Sequence, residues 1–355
     1  MRHRAVLASA MTWIETAHDA TGREGISAGY DLTKGWLPAY PETSGSSIPT
    51  LLRAANALGR PALAVRAHEI GDWLLRLQSP DGSFPGGVGT DGDPLVFDVG
   101  QIMQGLLELW QTTREVAVLA ALGRAAIWLA SVQDADGAWR SHAYRGYANT
   151  YSARVAWSLA RLWQVTGDPG QLDCVARSLR WMLDQVQTNG WIDRMMVDEH
   201  EEPYTHTIAY ALRGLLGCGR ILGGGLGRQC AEVATRAAVR LAELGTPLYP
   251  LLPGEIGPGF RPLADYACLT GDAQMVTVWL HASRTHPWLR DRAEDTLRRL
   301  STAQVRQPVE PAAVGALPGS WPLTGRYQKL LFPNWAAKFL ADAVLNTESE
   351  RATSY

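Results

Sequence analysis

The sequence predicts an all-α fold, a closed ring of six helical hairpins, and three observations carry that prediction. The first is an internal repeat. WLLRLQSPDGSF from Trp73, WLASVQDADGAW from Trp128 and WMLDQVQTNGW from Trp181 share one layout; their tryptophans lie 55 and 53 residues apart, and Gln78, Gln133 and Gln187 lie 55 and 54 apart. The second is helical periodicity without β-rich runs. Apolar residues recur three and four apart, as in Ile102, Leu106, Leu109 and Trp110, or Val155, Leu159 and Leu162. The third is that connectors alternate between a few residues and a long stretch, as in an up-down ring whose long loops all emerge on one face.

In chain order, residues 5–20 read as the first helix. Basic residues ahead of a mildly apolar run resemble a leader peptide, but Thr12 and Glu15 interrupt the run and make it amphipathic. Residues 21–47 contain Gly, Pro and Ser in turn combinations. Helix pairs follow at 48–58 with 61–78, 98–114 with 117–133, 150–166 with 169–187, 206–222 with 226–244, and 266–284 with 287–304. Gly167-Asp168-Pro169 is a stop-and-restart signal between two of them. A last helix over 334–346 pairs with the first and closes the ring. One domain over 1–346 is expected, with 347–355 as a disordered tail.

The links within pairs are short, around Gly59, Glu115, Gly167, Gly224 and His286, whereas those between pairs (79–97, 134–149, 188–205, 245–265, 305–333) and the segment 21–47 are long. Long loops carry function more often than short ones. They precede the first helix of each pair, so inner helices would direct six positive dipole ends toward a cavity and favour an anionic ligand.

The 355 residues carry a formal net charge of −2 and no basic stripe, which argues against nucleic acid as a partner. Cys174, Cys218, Cys230 and Cys268 are widely spaced inside helical patterns, so reduced, buried thiols are expected rather than a disulfide or zinc framework. No stretch approaches the ~18 apolar residues of a membrane span. A soluble, cytoplasmic protein is expected, with no cofactor motif and no metal site.

The Gln-x-x-Asp-Gly-Phe/Trp turn resembles the repeat of terpenoid cyclase and protein prenyltransferase toroids, and the hairpin count resembles the (α/α)6 toroid of glycosidases, lyases and epimerases. YPETSGSSIPTLL (40–52), VFDVGQIMQGL (96–106), HTIAYALRGLL (206–216), CLTGDAQ (268–274) and PNWAAKF (333–339) resemble segments of bacterial toroids associated with polysaccharide biosynthesis. Departures matter too. The stretch with Asp91, Asp93 and Asp98 does not match the Asp-x-Asp-Asp acid motif of class II terpene cyclases, and the prenyltransferase zinc set has no counterpart.

Candidate site residues fall into two groups. His142, Tyr144, Tyr147, Asn149, Tyr151 and Arg154 straddle one helix start, where Arg154 or Asn149 would neutralise a uronate carboxylate while His or Tyr removes the adjacent proton. His206, Tyr210 and Arg213 share a helix face at i, i+4 and i+7. Lys338 and Asn334, at the start of the last helix, suit an acidic ligand. The second group is carboxylates: Glu42 in the first long loop and Asp98 at a helix start, a pair that could hydrolyse a glycosidic bond. Asp98 could instead cap its helix with Gln101 in the box position. Tyr40 and Trp321 offer stacking faces for sugar rings. Trp139 and Trp191 read as turn anchors, Trp128 and Trp181 as core, and the acidic run 198–202 as a solvated loop.

The leading expectation is an enzyme that abstracts a proton from a carboxylated saccharide, an epimerase or lyase, with a small or oligosaccharide anionic substrate. The alternatives are a glycoside hydrolase using Glu42 and Asp98, a noncatalytic glycan-binding toroid, and an isoprenoid cyclase-like enzyme with an aromatic, weakly charged cavity.

Overall fold

The structure is a computed structural model that describes residues 2–307 and 310–352. Among these residues the helices are α1 (Arg2–Asp19), α2 (Pro41–Leu58), α3 (Pro61–Leu77), α4 (Val96–Thr113), α5 (Val116–Ser131), α6 (Ala153–Thr166), α7 (Pro169–Leu183), α8 (Thr205–Leu222), α9 (Gly224–Ala242), α10 (Leu269–Ala282), α11 (Leu289–Ala303) and α12 (Asn334–Ala352). Even-numbered helices pack in the cycle α2, α4, α6, α8, α10, α12 and back to α2, which closes an inner ring. Odd-numbered helices lie outside it, and α1 against α12 completes the sixth hairpin. Tight reversals follow from local chemistry: Gly59 and Gly167 end α2 and α6 in the left-handed region at φ 66° and 70°, and Pro61 and Pro169 open the helices that follow.

The repeat has a physical cause. The Gln78 amide donates to Gly82 O in its own turn (3.1 Å) and to Ala121 O on the next outer helix (2.9 Å). Gln133 does the same with Gly137 O (2.9 Å) and Cys174 O (3.0 Å). Each glutamine therefore fixes a turn and staples adjacent hairpins. Gln187 departs, donating to Asp193 instead. A further staple, without the sequence repeat, closes the ring: Gln304 donates to Gly315 O (3.0 Å) and to Val6 O of α1 (3.1 Å).

Three expectations need correction. Helix α2 begins at Pro41, seven residues before the expected 48. Its Thr43–Ser47 run reads as loop because it is small and polar, yet small residues are what a close helix contact demands: a Cβ on Gly45 would lie 2.8 Å from Ile102 Cα, and one on Gly105 would lie 2.0 Å from Gly45 O. The hydroxyls bond within their own helix, Ser47 Oγ to Thr43 O at 2.7 Å. Second, 347–352 continue α12 rather than forming a tail; 353–355 lie outside the described residues. Third, short strands occur: Gly29–Asp31 pairs with Gly35–Trp36 and with Leu331–Pro333, tying the first long loop to the last.

The four cysteines are buried and free, as expected. Trp128, Trp139 and Trp191 are buried, whereas Trp181 is only partly so. Asp198, placed in a solvated loop by the sequence, is buried and accepts from Arg145 and from His200 N. No helix among the described residues is long and apolar enough to cross a membrane.

Candidate functional site

The inner helices place polar side chains along the ring axis at helical spacing, so the site is a stack of layers. At the end where the inner helices begin, aromatic rings form a collar. Tyr40 meets Trp335 edge-on at 6.1 Å, and Trp335 Nε1 donates to the Tyr327 hydroxyl at 2.9 Å. His206 lies 5.6 Å from Tyr327 and 4.3 Å from Tyr210, and Phe97 bridges Tyr210 (4.9 Å) and Tyr151 (5.2 Å). Tyr40, Phe97, His206 and Trp335 keep part of their surface in solvent.

Beside this collar are two buried carboxyl groups in the first turns of adjacent helices, Glu42 on α2 and Asp98 on α4. They differ in their donors. Asp98 Oδ2 accepts from Gly87 N at 2.8 Å, and that donor and the nearby Tyr40 hydroxyl both oppose the rise in its pKa. Glu42 Oε1 is buried without a partner among the described residues. Burial raises the pKa of both groups, the charge of Asp98 raises Glu42 further, and Arg154 and Lys338 oppose that rise. Asp98 is not a cap: Leu95 holds that position, and Gln101 Oε1 instead accepts from Arg154 Nε at 2.7 Å.

The next layer is cationic. Arg154 lies buried between the Tyr210 and Trp157 rings, 5.1 and 5.5 Å away, and burial followed by the charge of Arg213 lowers its pKa to about 9. Lys338 Nζ donates to Asp342 Oδ2 at 2.9 Å, and burial lowers its pKa to about 8. Arg213 approaches Asp342 at 3.8 Å and donates to Gln274 Oε1 at 3.3 Å. Since that arginine can only donate, the Gln274 amide nitrogen faces His206 Nδ1, at 2.8 Å, and the imidazole proton is on Nε2. Burial, then Arg154 and Arg213, lowers the His206 pKa to about 3. Burial likewise pushes the Tyr151 and Tyr210 phenols up.

Past this layer, toward the ends of the inner helices, a cavity of ≈ 380 Å³ is bounded by Ser46, Gln104, Arg154, Trp157, Arg213 and Lys338, with Arg53, Arg161, Arg220 and Arg284 also on its wall. It lies at the short-link end of the ring, not at the long-loop end where the sequence placed it. Loop side chains such as Tyr327 and Phe332 are buried at the long-loop end, whereas links of a few residues leave the other end uncovered. Helix N-termini therefore do not supply this cavity's positive charge; arginines do. An isoprenoid cavity with few charges does not fit such a lining.

Five other expected residues lie away from the axis or are engaged in local structure. His142 packs on Trp128 at 5.2 Å with Nδ1 3.2 Å from Pro94 O, and Tyr144 is exposed beneath Arg145. Asn149 caps a turn, accepting from Ser152 N at 3.0 Å. Trp321 is exposed beneath Arg299 of an outer helix. Asn334 ties α12 to the first loop and to α2, donating to Ser27 O and Thr43 Oγ1, both at 2.8 Å. Among the described residues no group of three or more His, Cys, Asp or Glu could hold a metal. Asp342, Gln274 and the rim arginines Arg53, Arg161, Arg220 and Arg284 are not among the expected site residues, although extending the stripe 206, 210, 213 by further turns reaches Gly217 and Arg220.

Comparison with solved structures bears on the architecture. The chain is similar over 99% of its length, and 98% of the other chain, to an unsaturated glucuronyl hydrolase specific for heparin, with TM-score 0.78 at 14% identity. The fold is the (α/α)6 toroid. A sugar epimerase from a ruminal bacterium matches with TM-score 0.76 at 12% identity, covering 96% of this chain and 97% of that one. An unsaturated glucuronyl hydrolase from Bacillus sp. GL1 gives 0.73 at 13% identity, covering 98% and 97%. No family model and no curated protein matches the chain.

Proposed function

We propose that the chain is a hydrolase of uronate-bearing saccharides, with Glu42 as general acid and Asp98 as general base. The observation that carries this reading is the buried pair of carboxyls with unequal donors. Gly87 N–H and the Tyr40 hydroxyl stabilise an Asp98 anion, while Glu42, with no donor on Oε1, favours the protonated form near neutral pH. In the reaction the Glu42 proton passes to the glycosidic oxygen as the C–O bond breaks, and Asp98 takes a proton from the water that bonds to the sugar carbon. The collar offers ring faces to the sugar, and Arg154 and Lys338 bias the site toward a carboxylate. Structural neighbours described as glucuronyl hydrolases support the substrate class.

Proton abstraction, the leading reading of the sequence, ranks second. The epimerase neighbour favours it. Against it, His206 carries its proton on Nε2 with Nδ1 engaged, and burial makes both axial phenols weaker acids. The test is release of reducing ends from a panel of saturated and unsaturated uronyl disaccharides. Glu42→Gln and Asp98→Asn, each folded by circular dichroism, should lower kcat by about 10²–10⁴-fold. Wild-type turnover in both variants would sink the assignment.

A further inference from the structure

The short-link mouth of the ring lies past the carboxyl pair, with Arg154 and Lys338 on the boundary between the two, and its outer wall has its own chemistry. Among the described residues, the cavity wall carries seven Arg and Lys side chains against two carboxylates, Glu108 and Asp342, in a chain whose overall charge is −2. Six of the seven are arginines, whose planar forks match the oxygens of phosphate and sulfate. Two buried atoms on this wall lack partners among the described residues, Arg154 Nη1 and Trp157 Nε1, and both are donors. A ligand that satisfies them must be rich in acceptors. Trp157 can lie where it does because residue 217 is glycine: a Cβ there would come within 2.4 Å of the indole.

Compensation of helix dipoles accounts for only part of the cluster: Arg220 stands in the last turn of α8 and Arg284 just past the end of α10, where cations are favoured. Arg161 lies well inside α6, and Arg154 is near that helix's start, where a cation is unfavourable. Crowding also has a cost, since Arg154 and Arg213 each help lower the Lys338 pKa and thus weaken its charge. Among the described residues, two wall carboxylates, Glu108 and Asp342, offset it.

We infer that the short-link mouth is a binding site for a small ligand carrying two or more phosphate or sulfate groups, with Arg161 and Arg220 at the rim and Arg154 and Trp157 at depth. Arg161 already donates to Glu108 Oε2 at 2.8 Å, so a single carboxylate at depth would meet Arg154 Nη1 and Trp157 Nε1 and leave the remaining faces of the rim guanidinium groups unused. The cavity volume is within the ~300–1,000 Å³ of small-ligand sites. The inference does not depend on hydrolysis at Glu42 and Asp98, and its test reads binding alone.

Isothermal titration calorimetry of the full chain, at low and moderate salt, with inorganic pyrophosphate, a disulfated disaccharide, glucuronate and a neutral disaccharide provides that test. Pyrophosphate or the disulfated sugar should bind, more weakly as salt rises, while glucuronate binds at least tenfold more weakly and the neutral sugar not at all. Which of the two multivalent anions is tighter assigns phosphate or sulfate as the source. Combined Arg161→Ala and Arg220→Ala should weaken binding at least tenfold; Arg236→Ala, on an outer helix, should leave it unchanged. Absence of heat with both multivalent anions, glucuronate binding as tightly as pyrophosphate, or equal affinity in the rim and Arg236 variants would overturn it.

Discussion

Replacing Asp342 by Asn removes the one carboxylate that the buried cations Lys338 and Arg213 share, at 2.9 and 3.8 Å. Burial alone would raise the Asp342 pKa, but Lys338, Arg213 and Arg53 overcome it and bring the group from 3.8 to about 2. Near neutral pH that depression corresponds to about 2–3 kcal/mol of native-state stability. Because the folded value is depressed, this contribution is present above pH ~4 and is lost as pH falls toward ~2. Asn is a neutral isostere that can still accept from Thr50 Oγ1, now at 2.7 Å, so its cost at pH 7 should approximate the charge term, about 2–3 kcal/mol. Urea denaturation at pH 7 measures it directly. In a Lys338→Met background the same substitution should cost less by about 1 kcal/mol or more, because the pair is then already broken. A cost below about 0.5 kcal/mol in the wild-type background, or no coupling to Lys338, would refute the picture of a buried, charge-balanced layer.

Three further outcomes follow from named contacts. Glu42→Gln should be more stable than wild type while losing activity: the folded pKa is raised, so the stability linked to this carboxyl is present below the ordinary carboxylate range and lost as pH rises toward the raised value. The difference in urea midpoints should therefore widen from pH 5 to pH 8. Gln304→Ala should cost about 1–3 kcal/mol in chemical denaturation, since it leaves Val6 O and Gly315 O without the closing amide. Gly45→Ala should cost about 1–3 kcal/mol through overpacking where its Cβ meets Ile102 Cα at 2.8 Å, with thermal unfolding as the readout.

The fold was largely legible because helix pairs advertise themselves twice, through periodicity and through the Gln-turn-aromatic repeat. Where legibility failed, the cause was local. Thr43–Ser47 look like loop in any pattern based on hydrophobicity, yet they are the small residues that let α2 approach α4. The site was half legible. Glu42, Asp98, Arg154, His206, Tyr210, Arg213 and Lys338 do converge on the axis, since each stands in the first half of an inner helix. His142, Tyr144 and Trp321 are chemically similar side chains on loops, and their direction depends on contacts with Trp128, Arg145 and Arg299 that spacing does not encode. The arginine mouth escaped because it is assembled from several helices: Arg154 and Arg161 repeat at i, i+7 on α6 and Arg213 and Arg220 on α8, but only ring closure brings these two pairs together with Arg53 and Arg284.

The claim of acid/base hydrolysis by the carboxyl pair is tested most directly by proton NMR in D2O, following a uronyl disaccharide with wild type and with Glu42→Gln. Wild type should release new reducing ends with no deuterium at the carbon beside the carboxylate, and the variant should release them about 10²–10⁴-fold more slowly. Deuterium appearing at that carbon, with or without a new alkene signal and with the glycosidic bond intact or eliminated, would contradict that claim and return the assignment to proton abstraction.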